Sequence, residues 1–324
     1  MGIKLLNRFL REKCHDAIYE IDIASLKGKK IAIDISIYLY RGKENGELFS
    51  NIYFMCSLFR YHDIHPIFVF DGKPPPEKKK ILEKRKERKQ AASNKCQQMI
   101  AELETITSDE KKKQHLKEIK ILQKKSTYIK YSDIQTIKQL FDSYGICYIV
   151  ADGEADVLCA QLVIQNKAYA CLSEDMDLFV YGCPRVLRYF SFIHKTAVLY
   201  DLSIILRNLH ISLDNFKDIC IAAGTDYNTS NHSVYYYYVK FLDFEKSQAT
   251  NFHNWLNPES LSKINHIKKL FQTPTTHLNF HIKNKQIHHT KLMILLKKHN
   301  FIFIDQINTS SQEEPVQPWR NAGS

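Results

Sequence analysis

Short apolar runs alternate along this chain with stretches of helical periodicity, and that alternation limits the available folds more than any other feature. The runs are KIAIDIS (30–36), PIFVFD (66–71), ICYIV (146–150) and AYACLS (168–173), and each meets an acidic residue at or just beyond its C-terminal end. Apolar runs of this length, bounded by turn signals, read as buried strands; ELFSNIYFMCSLFRYH (47–62), SDIQTIKQLFDSYG (132–145) and EADVLCAQLVIQNK (154–167) carry the period of a helix. Strands separated by helices must cross over rather than form hairpins. The pattern therefore predicts an α/β fold, a mostly parallel central sheet with helices on both faces. Ser132 is expected as the N-cap of its helix and Gly145 as the residue past its end.

One segment interrupts the alternation. KPPPEKKKILEKRKERKQ opens with three prolines, which cannot continue a sheet, and a helix should follow, then a second through DEKKKQHLKEIKILQKK. Between Lys73 and Lys130 stand 18 Lys and Arg against 8 Asp and Glu, so nearly all of the net charge of +11 lies here. A solvated helical face would hold such charge, and the excess of one sign suits a polyanionic partner at least as well. Lys124 and Lys125 are candidate phosphate contacts within it. An insertion of this size between two strands is more often functional than idle.

The remaining composition excludes several classes. The 324 residues are 44% hydrophobic and 25% charged, as in an ordinary folded chain, and no apolar stretch approaches the ~18 residues of a membrane span. The start, MGIKLLNRFLREK, is charged at once, without the apolar core of a secretion signal, and it lacks the Ser or Thr of a myristoylation signal. Eight cysteines without a C-x-x-C pair point to reduced thiols. The expected compartment is intracellular, either the nucleus or a cytoplasmic site of DNA replication, and KKKILEKRKERK has the composition of a nuclear signal. After residue 200 the signal weakens. DLSIILRNL and LDNFKDICIAAG read as helices, Tyr235 to Tyr238 as a helix with two tyrosines buried and two exposed, His277 and His281 as a solvated pair, and the tail from Thr309 as flexible.

In open α/β sheets, ligands bind beyond the carboxyl ends of the strands. Asp34, Asp71, Glu154 with Asp156, and Asp175 with Asp177 fall there, and Asp226 in AAGTDY follows a helix and a glycine. Clustered carboxylates repel one another and take up protons unless a cation neutralises them. Oxygen donors with few His or Cys nearby suit Mg2+ or Mn2+ rather than zinc. Because Mg2+ keeps several waters, these acids suggest two ions about 4 Å apart, an arrangement suited to phosphodiester displacement. Glu174 is expected to be peripheral.

Taken in order, MGI, IAIDIS, VFDGKPP, GEAD, SEDMDLF and GTDY resemble the flap endonuclease branch of the structure-specific 5′ nucleases, across residues 1 to about 230. The resemblance implies one metal site mainly from Asp34, Asp71, Glu154 and Asp156, and another mainly from Asp175, Asp177 and Asp226, holding two Mg2+ for which Mn2+ can substitute. Asp156 stands where relatives more usually carry Glu, so its arm is one methylene shorter. The basic insertion would be the family's helical gateway and cap, with Lys78 and Arg85 on the scissile phosphate; their spacing of seven returns to the same helix face. Tyr40 matches an aromatic on which a base stacks, with core packing as the rival role, and Gly2 would bring the chain start to the DNA junction.

The implied substrate is branched duplex DNA with a free 5′ arm, cut near the junction without sequence specificity, with 5′–3′ exonuclease activity besides, in replication, repair or recombination. A related exonuclease or a bubble or junction nuclease, and a catalytically weak DNA-binding scaffold, are the alternatives. The pattern breaks after Asp226: YNTSNHSVYYYYVKFLDFEKS has no glycine where relatives carry a Gly-rich segment that holds duplex. LMILLKKHNF resembles the helix that closes the nuclease domain, and the tail has no glutamine-plus-aromatic motif for a sliding clamp. On this basis residues 1–308 form one nuclease domain, divided at 72, 131 and 226, with a tail at 309–324. A monomer is expected.

Overall fold

A computed structural model describes residues 2–106, 108–256, 261–274, 276–278 and 285–301. One sheet holds seven strands: β1 (Ile18–Asp22), β2 (Lys30–Asp34), β3 (His65–Phe70), β4 (Cys147–Val150), β5 (Ala170–Leu172), β6 (Arg185–Ser191) and β7 (Thr196–Asp201), in the order β1-β7-β6-β5-β2-β3-β4. β6, β5, β2, β3 and β4 pair in parallel, and β7 pairs antiparallel with β6 and with β1. The mostly parallel sheet is as expected. β1 and β6 carry no comparable sequence signal, because Glu20 and Arg188 interrupt their apolar runs, and the uninterrupted run of β7, AVLY, is short.

The helices are α1 (Leu6–Lys13), α2 (Ser36–Glu44), α3 (Leu48–Tyr61), α4 (Lys79–Glu102), α5 (Asp109–Lys125), α6 (Tyr131–Tyr144), α7 (Ala155–Ile164), α8 (Asp177–Tyr181), α9 (Leu202–Asn208), α10 (Leu213–Ala223), α11 (Val234–Glu245), α12 (Phe252–Leu256), α13 (Leu261–Leu270) and α14 (His289–Lys298). Alternation along the strands divides the core in two. Ala32, Ile67, Val69 and Cys171 join one cluster with residues of α1, α7, α8 and α10, while Ile31, Ile33, Phe68 and Leu172 join the other with α3, α6 and α14. Phe68 stacks on Phe141 of α6 at 4.4 Å between centroids. Each such side chain, once buried, contributes roughly 1.5–3 kcal/mol, and together they fix the height at which each strand ends.

The register brings the acids to one edge. Asp34, the last residue of β2, pairs with Val69, so Asp71 emerges beside it just past the end of β3. Gly72 lets the next turn approach closely: its N–H donates to the Gly153 carbonyl at 2.7 Å, and a Cβ there would stand 1.9 Å from the Ala151 oxygen. This contact sets the loop ending in Glu154 against the one holding Asp71.

Two expectations need correction. Ser132 does not cap its helix: α6 starts at Tyr131 after Lys130, and Asp133 reaches back to accept the Lys130 N–H at 2.8 Å. A carboxylate at the third helical position satisfies the free N–H better than a hydroxyl one turn-residue late. Gly145 does end α6, at φ +68°. Tyr235 to Tyr238 lie on α11 as three half-buried residues and one exposed, Tyr236, rather than two and two. Each half-buried ring keeps its hydroxyl near a polar partner: Tyr235 bonds Glu12, Tyr237 pairs with Ser230 and Tyr238 donates to the Leu209 carbonyl. All eight cysteines are free. Among the described residues no helix is long and apolar enough to cross a membrane. His277 is exposed; His281 and the tail at 309–324 lie outside the described residues.

Candidate active site

Each predicted acid leaves the fold at the same edge, held by short local bonds. Asp34 Oδ1 accepts the Ser36 N–H at 3.0 Å, and its Oδ2 accepts from Ser173 Oγ at 3.1 Å. Asp71 accepts from Ser36 Oγ at 2.5 Å and from the Ala155 N–H at 2.9 Å, which ties the end of β3 to the first turn of α7. Glu154 precedes that helix and Asp156 lies in its first turn, buried. Asp175 Oδ1 accepts the Asp177 N–H at 2.9 Å, a turn that starts α8, while Ser173 Oγ accepts the Asp175 N–H. Asp226 sits in a turn pinned by Asn228, whose Oδ1 accepts from Thr225 and whose Nδ2 donates to the Ile221 carbonyl.

Proximity shows in the acidities. Burial first, then the neighbouring charge of Asp71, pushes Asp34 up to about 7. Asp156 is raised well above the carboxylate range by burial and by Asp175, Asp34 and Glu154; Asp177 is raised by burial and by Asp175 and Asp226. Among the described residues Asp177 Oδ1 is buried without a hydrogen-bond partner. Such groups ionise only if positive charge stands near them.

The basic insertion supplies that charge. Lys78 is 7% exposed; its Nζ lies 2.6 Å from Glu154 Oε1 and 3.7 Å from Asp226 Oδ2. Burial works against the ammonium, but Asp156 and Glu154 outweigh it and hold Lys78 above the lysine range. Arg85 Nη2, seven residues on and within α4, lies 2.8 Å from Asp226 Oδ2. Tyr227 Oη donates to Glu154 Oε2 at 2.9 Å, and its ring lies 5.2 Å beneath Lys78.

Among the described residues no three His, Cys, Asp or Glu side chains converge closely enough to enclose a metal ion unaided. The donor set nonetheless fits a hydrated hard cation: it is all carboxylate, its members raise one another's pKa, and one buried oxygen has no partner among the described residues.

Other candidates fall at varied distances from this centre. Gly2, at φ +99°, lies against the loop: a Cβ there would be 3.5 Å from Asp175 Oδ1. Tyr40 is 37% exposed rather than packed in the core, and Lys89 of α4 stands 4.2 Å over its ring. Lys124 and Lys125 are exposed on the last turn of α5, and among the described residues no hydrogen bond or ion pair joins them to the acids. Glu174 turns away to Arg188 and the Tyr189 N–H. Sequence reasoning missed Ser36, Ser173, Tyr227 and Asn228; the first three border quoted motifs, but nothing in them marked a second partner.

Two family models match the chain, the XPG N-terminal domain over residues 1–92 and the XPG I-region over 145–226. Flap endonuclease 1 of Saccharomyces cerevisiae is 32% identical over 293 residues, covering 80% of this chain and 72% of that protein. The chain belongs to the flap endonuclease family. It is a nuclease. Flap endonuclease 1 of Methanococcus aeolicus is 28% identical, over 86% and 83% of the two chains. The structure of flap endonuclease-1 from Methanococcus jannaschii superposes with a TM-score of 0.60 at 26% identity, covering 87% of this chain and 90% of that one. The catalytic core of Rad2 in complex with DNA substrate gives 0.64 at 18% identity over 92% and 95%, which shows the shared fold. Nucleases of the flap endonuclease family are metal-dependent, and the carboxylate edge is where this chain would hold such ions.

Proposed function

We propose that this nuclease cuts branched duplex DNA bearing a free 5′ single-stranded arm, near the junction, with two Mg2+ ions, which Mn2+ can replace. The convergence of seven strand-end and loop carboxylates beneath Lys78 and Arg85 carries this proposal. Asp34, Asp71, Glu154 and Asp156 would hold one ion, and Asp175, Asp177 and Asp226 the other. When bound, these ions would supply a water-derived nucleophile and neutralise charge on the phosphate.

The chain's own groups do the rest. Lys78 and Arg85 now rest on Glu154 and Asp226, and both exchange a carboxylate for a phosphate oxygen when DNA arrives. Their cationic donors then face the charge that develops during cleavage. Tyr40 offers a ring face to a base in place of Lys89, and Lys124 and Lys125 offer exposed charge to the backbone. Gly2 leads the chain start toward the junction beside Asp175. The α4–α5 hairpin forms the cap beneath which the 5′ arm passes, which favours flaps over bubbles or four-way junctions.

Residues 1–308 act as one nuclease domain, working as a monomer without a sliding-clamp motif, at nuclear or cytoplasmic sites of DNA replication or repair. The deciding experiment is cleavage of a 5′-flap duplex in Mg2+, beside Asp175→Ala and a flap blocked at its 5′ end. One junction-proximal cut, lost in the variant and with the block, is expected. Flap binding without cleavage by the intact protein would leave a scaffold, and equal cutting of the blocked flap would remove the threading step.

A further inference from the structure

Behind the loop that carries Asp175 and Asp177 lies a buried arginine that, among the described residues, is joined by hydrogen bonds and an ion pair to their neighbours in the loop. Arg188, in β6, is 6% exposed. Its Nη1 donates to Asn7 Oδ1 on α1 and to Met176 Sδ, both at 2.8 Å. Its Nη2 donates to the Glu174 carbonyl at 3.0 Å and lies 3.5 Å from Glu174 Oε2. The guanidinium also lies 4.8 Å from the Tyr189 ring and 5.5 Å from that of Tyr200. Glu174 and Met176 are the two neighbours of Asp175, so one side chain grips the loop on both sides of a proposed ligand.

The partners are themselves fixed. Tyr189 adopts φ +54°, in the left-handed region, where the β6–β7 register shifts, and its N–H donates to Glu174 Oε1 at 2.9 Å. Asn7 Nδ2 donates to Tyr189 Oη at 2.8 Å, Tyr200 Oη donates to Asn7 Oδ1 at 2.7 Å, and Arg11 Nε donates to Tyr200 Oη at 3.1 Å. Gly2 closes the other side of the loop against Asp175 and Met176. A non-glycine residue in this conformation persists only where its surroundings over-determine it. Both terminal nitrogens of the buried guanidinium are satisfied by the loop and α1, whereas its Nε has no hydrogen-bond partner among the described residues.

We propose that Arg188 is a positioning residue: it fixes the Glu174–Asp177 loop against α1, so that Asp175 and Asp177 are set for a cation before it arrives, with Glu174 as the anchor of that grip. The proposal rests on Asp175 and Asp177 being metal ligands. Arg is suited to the task because its planar fork reaches several acceptors at once, which a lysine ammonium cannot do from the same site.

The test is Mn2+ binding to the full chain without DNA, followed by electron paramagnetic resonance of the free ion, for the wild type, Arg188→Met, Arg188→Lys and Asp175→Ala. Removing a group that orients a metal ligand typically weakens metal binding about 10- to 100-fold, and Arg188→Met should do so. The Mn2+ concentration for half-maximal cleavage should rise by the same factor, with the rate at saturating Mn2+ largely retained. Arg188→Lys should fall between. Unchanged Mn2+ affinity in Arg188→Met, with native-like thermal unfolding, overturns the positioning role and leaves the ligands standing. Wild-type binding that Asp175→Ala does not reduce overturns the ligand assignment, and the positioning role with it. Should Arg188→Met not fold, Arg188→Lys and Asn7→Ala decide: native-like melting with undiminished Mn2+ affinity in both overturns the proposal.

Discussion

The strand ends that carry the acids are backed by two large clusters, in which Ile33, Ile67, Phe68, Val69 and Cys171 are all fully buried. The α4–α5 hairpin above them meets over four buried residues, Cys96, Met99, Ile119 and Leu122, with Ala92 and Leu103 packed alongside. Ion pairs near its outer surface, Lys95 with Glu118 and His115 with Glu102, lie in solvent and add little. One part of the molecule is thus held rigidly and the other marginally. Regions with few buried contacts open at low cost, as the cap proposed for the 5′ arm would have to, whereas metal ligands tolerate little displacement. The two parts also segregate charge, acids below and cations above, and they join at Lys78 on Glu154 and Arg85 on Asp226.

The largest test of this contrast removes charge from the rigid floor. Asp175→Ala or Asp177→Ala should lower flap cleavage by about a thousandfold or more, the upper end for a single electrostatic group. Thermal unfolding of the metal-free Asp177→Ala protein should occur no lower than in the wild type, since the native acid is buried among like charges. A large loss of stability would mean that these acids serve the fold, and the contrast would fail.

Next come the joining cations. Lys78→Ala should cost about 10²- to 10³-fold in single-turnover cleavage, and Arg85→Ala less, because its side chain is 34% exposed. Equal effects would show that both meet the phosphate from equally dry positions.

Within the hairpin, Met99→Ala and Leu122→Ala should each remove about 2–5 kcal/mol of local packing. Hydrogen exchange should then quicken in α4 and α5 alone, flap cleavage should slow, and the main unfolding transition should hardly move. A matching fall in global melting temperature would show that hairpin and floor unfold as one.

The smallest effect lies where the hairpin returns to the floor. Lys43 of α2 bonds Asp133 of α6 at 2.8 Å. Burial opposes the Asp133 charge, but Lys43 and the Lys130 N–H outweigh it and hold the acid below its ordinary 3.8. A depressed carboxylate contributes stability above its unfolded-state value, and that stability is lost as pH falls through the folded-state value. Urea unfolding should therefore show stability declining below about pH 4, by up to ~1 kcal/mol from this group, and Asp133→Asn should flatten that decline. An unaltered acid limb would remove Asp133 as a tie between the two parts.

The sequence by itself determined the parallel half of the sheet, because β2, β3 and β5 lie inside it and are largely buried on both faces, where unbroken apolar runs survive, and β4 keeps such a run at the half-buried edge. It placed the acids as well, since strand ends are the natural place for ligands, and it singled out Lys78 and Arg85, which the fold turns toward Glu154 and Asp226 from just before α4 and from within it. It did not reveal β1, β6 and β7, whose half-exposed or charge-interrupted runs look like loops until they pair. Nor did it show which groups hold the acids still. Ser36, Ser173, Tyr227 and Arg188 matter through partners 35 to 181 positions away, the farthest being Asn7 for Arg188, and hydrogen bonds of that range leave no local pattern. Local periodicity reports the face a residue turns to the core; only the closed tertiary structure decides which distant polar group it meets there.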